Sequence, residues 1–388
     1  MVSLVKGGCL MWKQRAFASA VLAAALGCGG ASKPPEPFPQ RIRLSFADSV
    51  CGPAEAEGRD FGYVVDACLG PSGELLVLDQ ARCRIEVFSP RGGWTGSLGR
   101  RGQGPGEMVL PMYLENMGDL IMVQDGARDG YMLWNDSHEL EDEVLLWPRN
   151  APMSMRRCGS DSLFAAYKLD LVPGDGRIFM ARSFRLYRLG AAEAERVLFT
   201  DTVDVDPADF TSILSQILWS YSMAADADGR VYIAPMSSME YRVTALSHGG
   251  DSLFTIDTEL PRARKSELEM EDERLFVEGY MSSLGISSAA IDWQPDHFRN
   301  MVAALGLDSR GRLWVQRGTE PAAVFDVYDP ENGGGHVFSA QLPRASRSWR
   351  SRICGEIMLA WEEDPADGKQ RIYLIELPDA PSQQSDTD

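Results

Sequence analysis

The polar and apolar positions of this chain fall into one phrase that returns six times. It opens on a turn, passes one polar residue and enters three to five apolar ones: PSGELLVLD (71–79), NMGDLIMVQD (116–125), GSDSLFAAY (159–167), ADGRVYIAP (227–235), SRGRLWVQR (309–317) and CGEIMLAWE (354–362). Apolar runs this short, bounded by turn residues, predict strands rather than helices. Gly73, Gly118, Gly229 and Gly311 mark the turn, Gly355 adds a fifth, and Asp161-Ser162 stands in the third and weakest copy. A second strand-like run follows each phrase: CRIEVFSPRG (83–92), DGYMLWNDSHE (129–139), SFRLYRLGA (183–191), EYRVTALSHGG (240–250), AVFDVYDPENG (323–333) and QRIYLIELPD (370–379). The first five of these end in Gly, Ser, Asp, Asn or Pro, the residues of tight turns. A third run (WTGSLG, DEVLLW, ERVLFT, DSLFTID, GHVFSAQL) closes five of the units.

With one strand leading in, the unit is a four-stranded antiparallel meander. Where uninterrupted it repeats about every 44 residues, as from Gly73 to Gly118 and from Gly311 to Gly355. That period predicts an all-β fold, a six-bladed β-propeller of four-stranded antiparallel blades. Inner strands packed on both faces by neighbouring blades account for the blurred alternation. A β-sandwich explains many short strands but not the recurring phrase. The sixth unit lacks its third run, and RIRLSFADSV (41–50) is an unattached strand. It is expected to close the ring as the outermost strand of the last blade, removing the open edges.

Two spacings are long. Between Gly229 and Gly311, Ser266 and Glu269 form a capping-box pattern, and Leu268, Leu275, Phe276, Gly279, Tyr280 and Leu284 mostly follow helical spacing. They predict an amphipathic helix over about 264–284, within a helical insertion at about 261–298 between blades four and five. Such an insertion covers a channel mouth or packs on an edge, and the sequence leaves both open. Between Asp161 and Gly229, DVDPADFTSILSQILWSYS (204–222) suggests a shorter helical turn.

The N-terminus changes the picture of where the protein works. Lys13 and Arg15 precede the apolar run Ala16 to Leu26, which is too short to span a bilayer and fits a signal segment. Ala25-Leu26-Gly27-Cys28 resembles a bacterial lipobox, with Ala25 where Leu is usual. Residues 1–28 thus read as a lipoprotein-type signal peptide with Cys28 the lipidated residue; a cleaved soluble signal is the alternative. Met11 gives a tidier start than Met1. Residues 29–40, GGASKPPEPFPQ, form a Gly/Pro-rich tether, the propeller is expected over 41–379, and 380–388 is expected to be a disordered tail. The expected location is exported, lipid-anchored at the bacterial envelope or periplasmic.

A formal net charge of −18 argues against nucleic-acid binding and against a basic, membrane-hugging surface. Membrane contact is therefore expected only through the anchor. Outside residues 1–28 the cysteines are Cys51, Cys68, Cys83, Cys158 and Cys354, with no C-x-x-C pair and no zinc spacing. They read as small buried residues with at most one or two bridges. His138, His248, His297 and His336 are far apart in sequence, although an axis could gather them. Asp226 and Asp228, and the run Glu362, Glu363, Asp364 and Asp367, hint at calcium but lack the alternation and terminal glutamate of a calcium loop. Asp79 and Asp125 end equivalent strands and are expected to hydrogen-bond the turn that follows. No cofactor is predicted, a divalent metal being what an enzyme reading would add.

The stretch GRRGQGPGEM (99–108) has four glycines. It lacks the Gly-Lys-Ser/Thr ending of a phosphate loop and the spacing of a dinucleotide fingerprint. It reads first as a seam between two blades. Arg100, Arg101 and Glu107 are its binding candidates, the arginines suited to a carboxylate or phosphate. The longer phrase ARCRIEVFSPRGGWTGSLGRRGQGPGEM (81–108) resembles the NHL-repeat family of six-bladed propellers, most of all exported bacterial lipoproteins of that type. Asp79, Arg84, Ile85, Val87, Phe88, Gly99, Gly102, Gly104, Gly106 and Glu107 stand in the family's places, and Met108 stands where Phe is usual. GRLWVQR and VFDVYDP in blade five resemble the same group; the remainder matches only in rhythm. The resemblance implies the fold, and a fold hosts binders and enzymes alike. The expected function is a non-catalytic ligand- or protein-binding propeller at the envelope, its partner an envelope protein, a peptide or a glycan. The alternative is a metal-dependent lactonase- or lyase-type enzyme with its site at the central channel.

Overall fold

The computed structural model describes residues 41–52, 60–147, 151–174, 177–206, 221–283, 293–320, 322–345, 349–363 and 369–379. The expected signal, Cys28, the tether and the tail lie outside the described residues, as do 207–220 of the stretch read as a helical turn. Strands β1 (Arg41–Arg43) and β2 (Asp48–Val50) lead in. Blade one is β3 (Val64–Leu69), β4 (Leu75–Asp79), β5 (Arg84–Phe88) and β6 (Trp94–Leu98). A two-stranded ladder, β7 (Arg100–Arg101) with β8 (Glu107–Met108), links it to blade two, which is β9 (Pro111–Asn116), β10 (Leu120–Asp125), β11 (Gly130–Asn135) and β12 (Leu140–Val144). Blade three is β13 (Met153–Cys158), β14 (Ser160–Gly174), β15 (Arg177–Arg188) and β16 (Arg196–Val205); blade four is β17 (Tyr221–Ala225), β18 (Val231–Pro235), β19 (Tyr241–Leu246) and β20 (Ser252–Thr258). Helix α1 (Glu267–Ser283) follows, then blade five with β21 (Val302–Leu307), β22 (Leu313–Arg317), β23 (Ala322–Asp329) and β24 (Gly335–Ala345). Blade six is β25 (Arg350–Cys354), β26 (Ile357–Glu363) and β27 (Gln370–Glu376).

The fold is a six-bladed β-propeller, as the phrase predicted. Its ring is closed by the lead-in segment in two steps. Strand β2 pairs antiparallel with β27 as the outermost strand of blade six, and β1 pairs in parallel with β24 of blade five. The second pairing has no counterpart in the sequence reading. The turn glycines have positive φ, 78° at Gly73 and 75° at Gly311, a conformation that favours Gly. In blade three this role falls to Gly159 (φ 76°), two residues before the expected Asp161.

Polar staples fix the turns. Asp79 and Asp125 are fully buried and each bonds more than the following turn. Asp125 accepts from Val109 N at 2.6 Å, Leu110 N at 3.0 Å and Ala127 N at 2.9 Å, tying the end of β10 to the loop entering its own blade. Asp226 and Asp308 share a second arrangement. Each carboxylate accepts from the guanidinium four residues on (Arg230 at 2.7 Å, Arg312 at 2.6 Å) and from the ring donor six residues on (Tyr232 at 3.1 Å, Trp314 at 2.9 Å). The acidic phrase around Asp226 is thereby bound to Arg230 and Tyr232.

The core lies between blades rather than at the axis. Leu76, Leu78, Ile121 and Val123 join blades one and two, and Trp314, Phe325, Met358 and Ile375 join five and six. Strands such as β4 and β22 are buried along their whole length, which explains the blurred alternation. Between blades four and five the Tyr241 hydroxyl donates to Asp326 at 2.8 Å, and Arg317 grips the same carboxylate through two bonds of 2.8 Å.

The first long spacing is filled by a tall hairpin. β14 and β15 pair from Leu163↔Arg188 out to Gly174↔Arg177. In the second, the Ser266–Glu269 capping box forms: Glu269 N donates to Ser266 Oγ at 3.3 Å and Ser266 N to Glu269 Oε2 at 2.8 Å. The expected apolar stripe is corrected, because Leu268 and Leu275 are exposed and Val277 is buried. The side chains of Phe276 and Tyr280, and Leu284, lie outside the described residues.

Candidate functional site

Six first strands, β3, β9, β13, β17, β21 and β25, stand next to one another around the axis. Charged side chains on four of them converge. Arg352 on β25, its side chain 11% exposed, donates to Asp66 Oδ2 of β3 at 2.9 Å and to Glu115 Oε2 of β9 at 2.8 Å. Asp66 also accepts from Leu114 N and Ala67 N, both at 3.0 Å. Burial alone would lower the Arg352 pKa, but the two carboxylates outweigh it and hold the guanidinium well above its ordinary value. Arg352 thus bridges two carboxylates with one charge-assisted hydrogen bond each, a stronger kind of bond than one between neutral groups.

Arg156 of β13 is held differently. Its Nη1 lies 4.0 Å from Asp66 and 3.7 Å from Glu115, outside hydrogen-bond reach, and donates to Met155 O at 2.9 Å. The strand that carries it is irregular. The ladder with β14 shifts register between Met153 and Arg156, and Ser154 there has φ 53°. Bulges re-aim side chains, and a non-glycine residue at positive φ is a form of stored strain found at sites.

These groups line an axial cavity of about 290 Å³ together with Ser154, Arg157 and the edges of β17 and β21. Tyr221 and Met236 also line a second, larger cavity of about 570 Å³, so the two adjoin. This vestibule is walled by Arg182 of the tall hairpin and Asp201 of the neighbouring β16 on one side and by Lys265, Glu273 and Trp293 of the insertion on another. Arg182 is paired with Asp201 and lies 5.5 Å from the Tyr221 ring; Lys265 bonds Glu273 at 2.6 Å. Asp296 accepts from the Ser238 hydroxyl at 2.6 Å and from Phe298 N at 3.0 Å. Burial would raise its pKa, but these bonds and nearby Lys265 and Arg262 hold it below the ordinary value. Burial pushes the Tyr221 hydroxyl up.

The residues singled out in the Gly-rich stretch are brought together, but around one another. Glu107 accepts from Gly104 N at 2.8 Å and from Arg100 Nε at 2.8 Å, and both hold its carboxyl below its ordinary pKa. A Cβ on Gly102 would fall 1.9 Å from that carboxylate, so a larger residue there would have to displace the Glu107 side chain. The cradle therefore already contains an internal anion. Arg101 donates to Ala81 O at 2.9 Å, across the seam.

The four histidines stay apart. His138 lies 3.4 Å from Glu74, and His336 bonds Ser339 at 3.1 Å beside the Arg317–Asp326 pair. Among the described residues no three His, Cys, Asp or Glu side chains group as a metal would need. Cys51, Cys68, Cys83, Cys158 and Cys354 are free thiols, and burial drives Cys158 up to about 12.

Asp66, Glu115, Arg156 and Arg352 were not singled out from the sequence. A signal for three of them exists: Glu115, Arg156 and Arg352 each stand three residues before a turn glycine, Gly118, Gly159 and Gly355. A charged residue recurring in the first strand of a repeat marks the wall of the axis.

No family model and no curated protein sequence matches the chain. Among solved structures it is similar to virginiamycin B lyase from Staphylococcus aureus, with 10% identity over 85% of this chain and 99% of that one and a TM-score of 0.46. It is similar to the calcium-binding protein regucalcin from Agrobacterium tumefaciens, with 13% identity over 88% and 99% of the two chains and a TM-score of 0.46. It is also similar to the PQQ-bound aldose sugar dehydrogenase of Streptomyces coelicolor, with 12% identity over 86% and 97% and a TM-score of 0.47. The likeness assigns no chemistry to this chain.

Proposed function

We propose that the chain is a non-catalytic binding propeller whose ligand enters the vestibule and reaches toward the axial cavity. The observation that carries this reading is the vestibule itself. Two departures from a plain six-bladed ring, the tall blade-three hairpin and the insertion with its helix, both line it. Pockets of this size with a few convergent polar groups are the usual form of a ligand site. The N-terminal pattern supports export and a lipid anchor at Cys28, and the 81–108 phrase supports the NHL-repeat, exported-lipoprotein type. The ligand is then a peptide, a glycan or a segment of an envelope protein.

The test is a binding screen of the full chain against peptide and glycan arrays, with the recovered ligand analysed by mass spectrometry. The expected result is a saturable ligand recovered unchanged, and binding at least about tenfold weaker in Ser237→Trp, which fills the vestibule wall. Chemical conversion of the ligand, or undiminished binding in Ser237→Trp, would overturn the reading.

A further inference from the structure

We propose that Arg156 is the binding residue for an anionic group, a carboxylate or a phosphate, that the ligand carries into the axial cavity; the inference rests on the binding reading above. The argument begins with hydrogen-bond supply. A guanidinium has five N–H donors, and Arg156 directs Nη1 at its own neighbour, Met155 O. The carboxylates nearest to it are engaged elsewhere: Asp66 by Arg352 and two backbone amides, Glu115 by Arg352. Arg156 stands beyond hydrogen-bond distance of both, at 4.0 and 3.7 Å.

Charge points the same way. Of the three guanidinium groups in the cavity lining, Arg157 is paired with Asp161 at 3.0 Å and Arg352 with Asp66 and Glu115, which leaves Arg156 as the lining cation with no carboxylate within hydrogen-bond distance, in a chain whose net charge is −18. The vestibule is acidic on balance, with Asp201, Glu240, Glu273 and Asp296 facing Arg182 and Lys265. A freely diffusing polyanion is repelled at this acidic entrance. A ligand with a neutral or cationic body and one acidic end is accepted, acidic end inward. The cavity's volume of about 290 Å³ suits one small group rather than a whole ligand. The register shift in β13, with Ser154 at φ 53°, sets the strand that presents Arg156 to the axis.

The experiment is calorimetric titration of the full chain with succinate and, separately, inorganic phosphate, at an ionic strength fixed with sodium chloride. At least one probe is expected to bind saturably. Arg156→Gln should weaken it by about tenfold or more, and Arg156→Lys should retain part of the binding. Ser222→Glu, which adds a carboxylate to the same cavity while leaving Arg156 in place, should weaken it as well. Binding of succinate alone identifies a carboxylate ligand, and of phosphate alone a phosphate ligand. The proposal is overturned if neither probe binds above the chloride control, or if Arg156→Gln binds as the parent protein does. Should Ser237→Trp abolish binding of an array ligand that Arg156→Gln still holds, the binding function stands and the role of Arg156 falls.

Discussion

The seam at 99–108 and the axial cluster are built from the same parts, arginines and carboxylates beside irregular backbone, yet they end in opposite states. In the seam, Glu107 is closed in by Gly104 N and Arg100, with Gly102 and Gly104 packed against its carboxylate. At the axis, Arg352 closes two carboxylates from two other blades, and Arg156 remains beside a cavity. The contacts of Glu107 with Arg100 and Gly104 fall within ten residues that are conspicuous in the sequence, and Ala81, Arg128 and Glu143 bond the same stretch from the two flanking blades. The axial cluster is assembled from strands as far apart in the chain as Asp66 and Arg352. A polar motif that satisfies itself locally joins blades; one whose members come from different blades can leave a group over for a ligand.

The comparison breaks hardest at Arg352. Arg352→Ala strands Asp66 and Glu115 without their cation, and breaking a buried pair typically costs about 3–5 kcal/mol. Urea unfolding should show a loss of that size, whereas Arg100→Ala, at a side chain 80% exposed, should leave the midpoint unchanged. A similar loss in the two variants would erase the distinction between seam and axis.

A smaller effect concerns the vestibule wall. Glu269 is half-buried; burial would raise its carboxyl, but Arg299 Nη2 at 2.7 Å and the Ser266 amide and hydroxyl outweigh this and hold it below the ordinary 4.5. A carboxyl depressed in the folded state contributes stability that is present above its unfolded value and is lost as pH falls through the folded one. Amide protection factors over 267–283, with exchange rates corrected for their intrinsic pH dependence, should therefore fall as the pH is lowered below 4.5, and Glu269→Gln should already show lower protection at neutral pH and respond less to acid. Equal acid responses in the two proteins would remove Glu269 as an anchor of the insertion.

The ring was legible because its signal is local and repeated. A turn glycine followed by a buried strand needs only its own neighbours, so five of the six turns stand where the phrase put them. Blade three departed because Gly159 took the turn, and its hairpin grew past the phrase to Gly174. The helix was placed correctly, but its contacts were not. Leu268 and Leu275 face solvent, while among the described residues the insertion is held by buried Val277 and Trp293 and by polar links: Glu269 to Arg299, Lys265 N to His297 O at 2.9 Å and Arg262 stacked 3.6 Å over Phe298. Polar links of this kind add nothing to an apolar periodicity, so the sequence could not show them. The axial residues were hidden for another reason. Each is a lone charge in a short strand, and its meaning appears only when the six first strands are set side by side.

The most direct test of this account titrates whichever probe binds, succinate or phosphate, into Arg156→Gln and Arg100→Gln side by side. The account predicts that Arg156→Gln weakens binding by about tenfold or more and that Arg100→Gln leaves it unchanged. The reverse result, binding lost with Arg100 and kept without Arg156, would return the site to the seam and contradict the axial assignment.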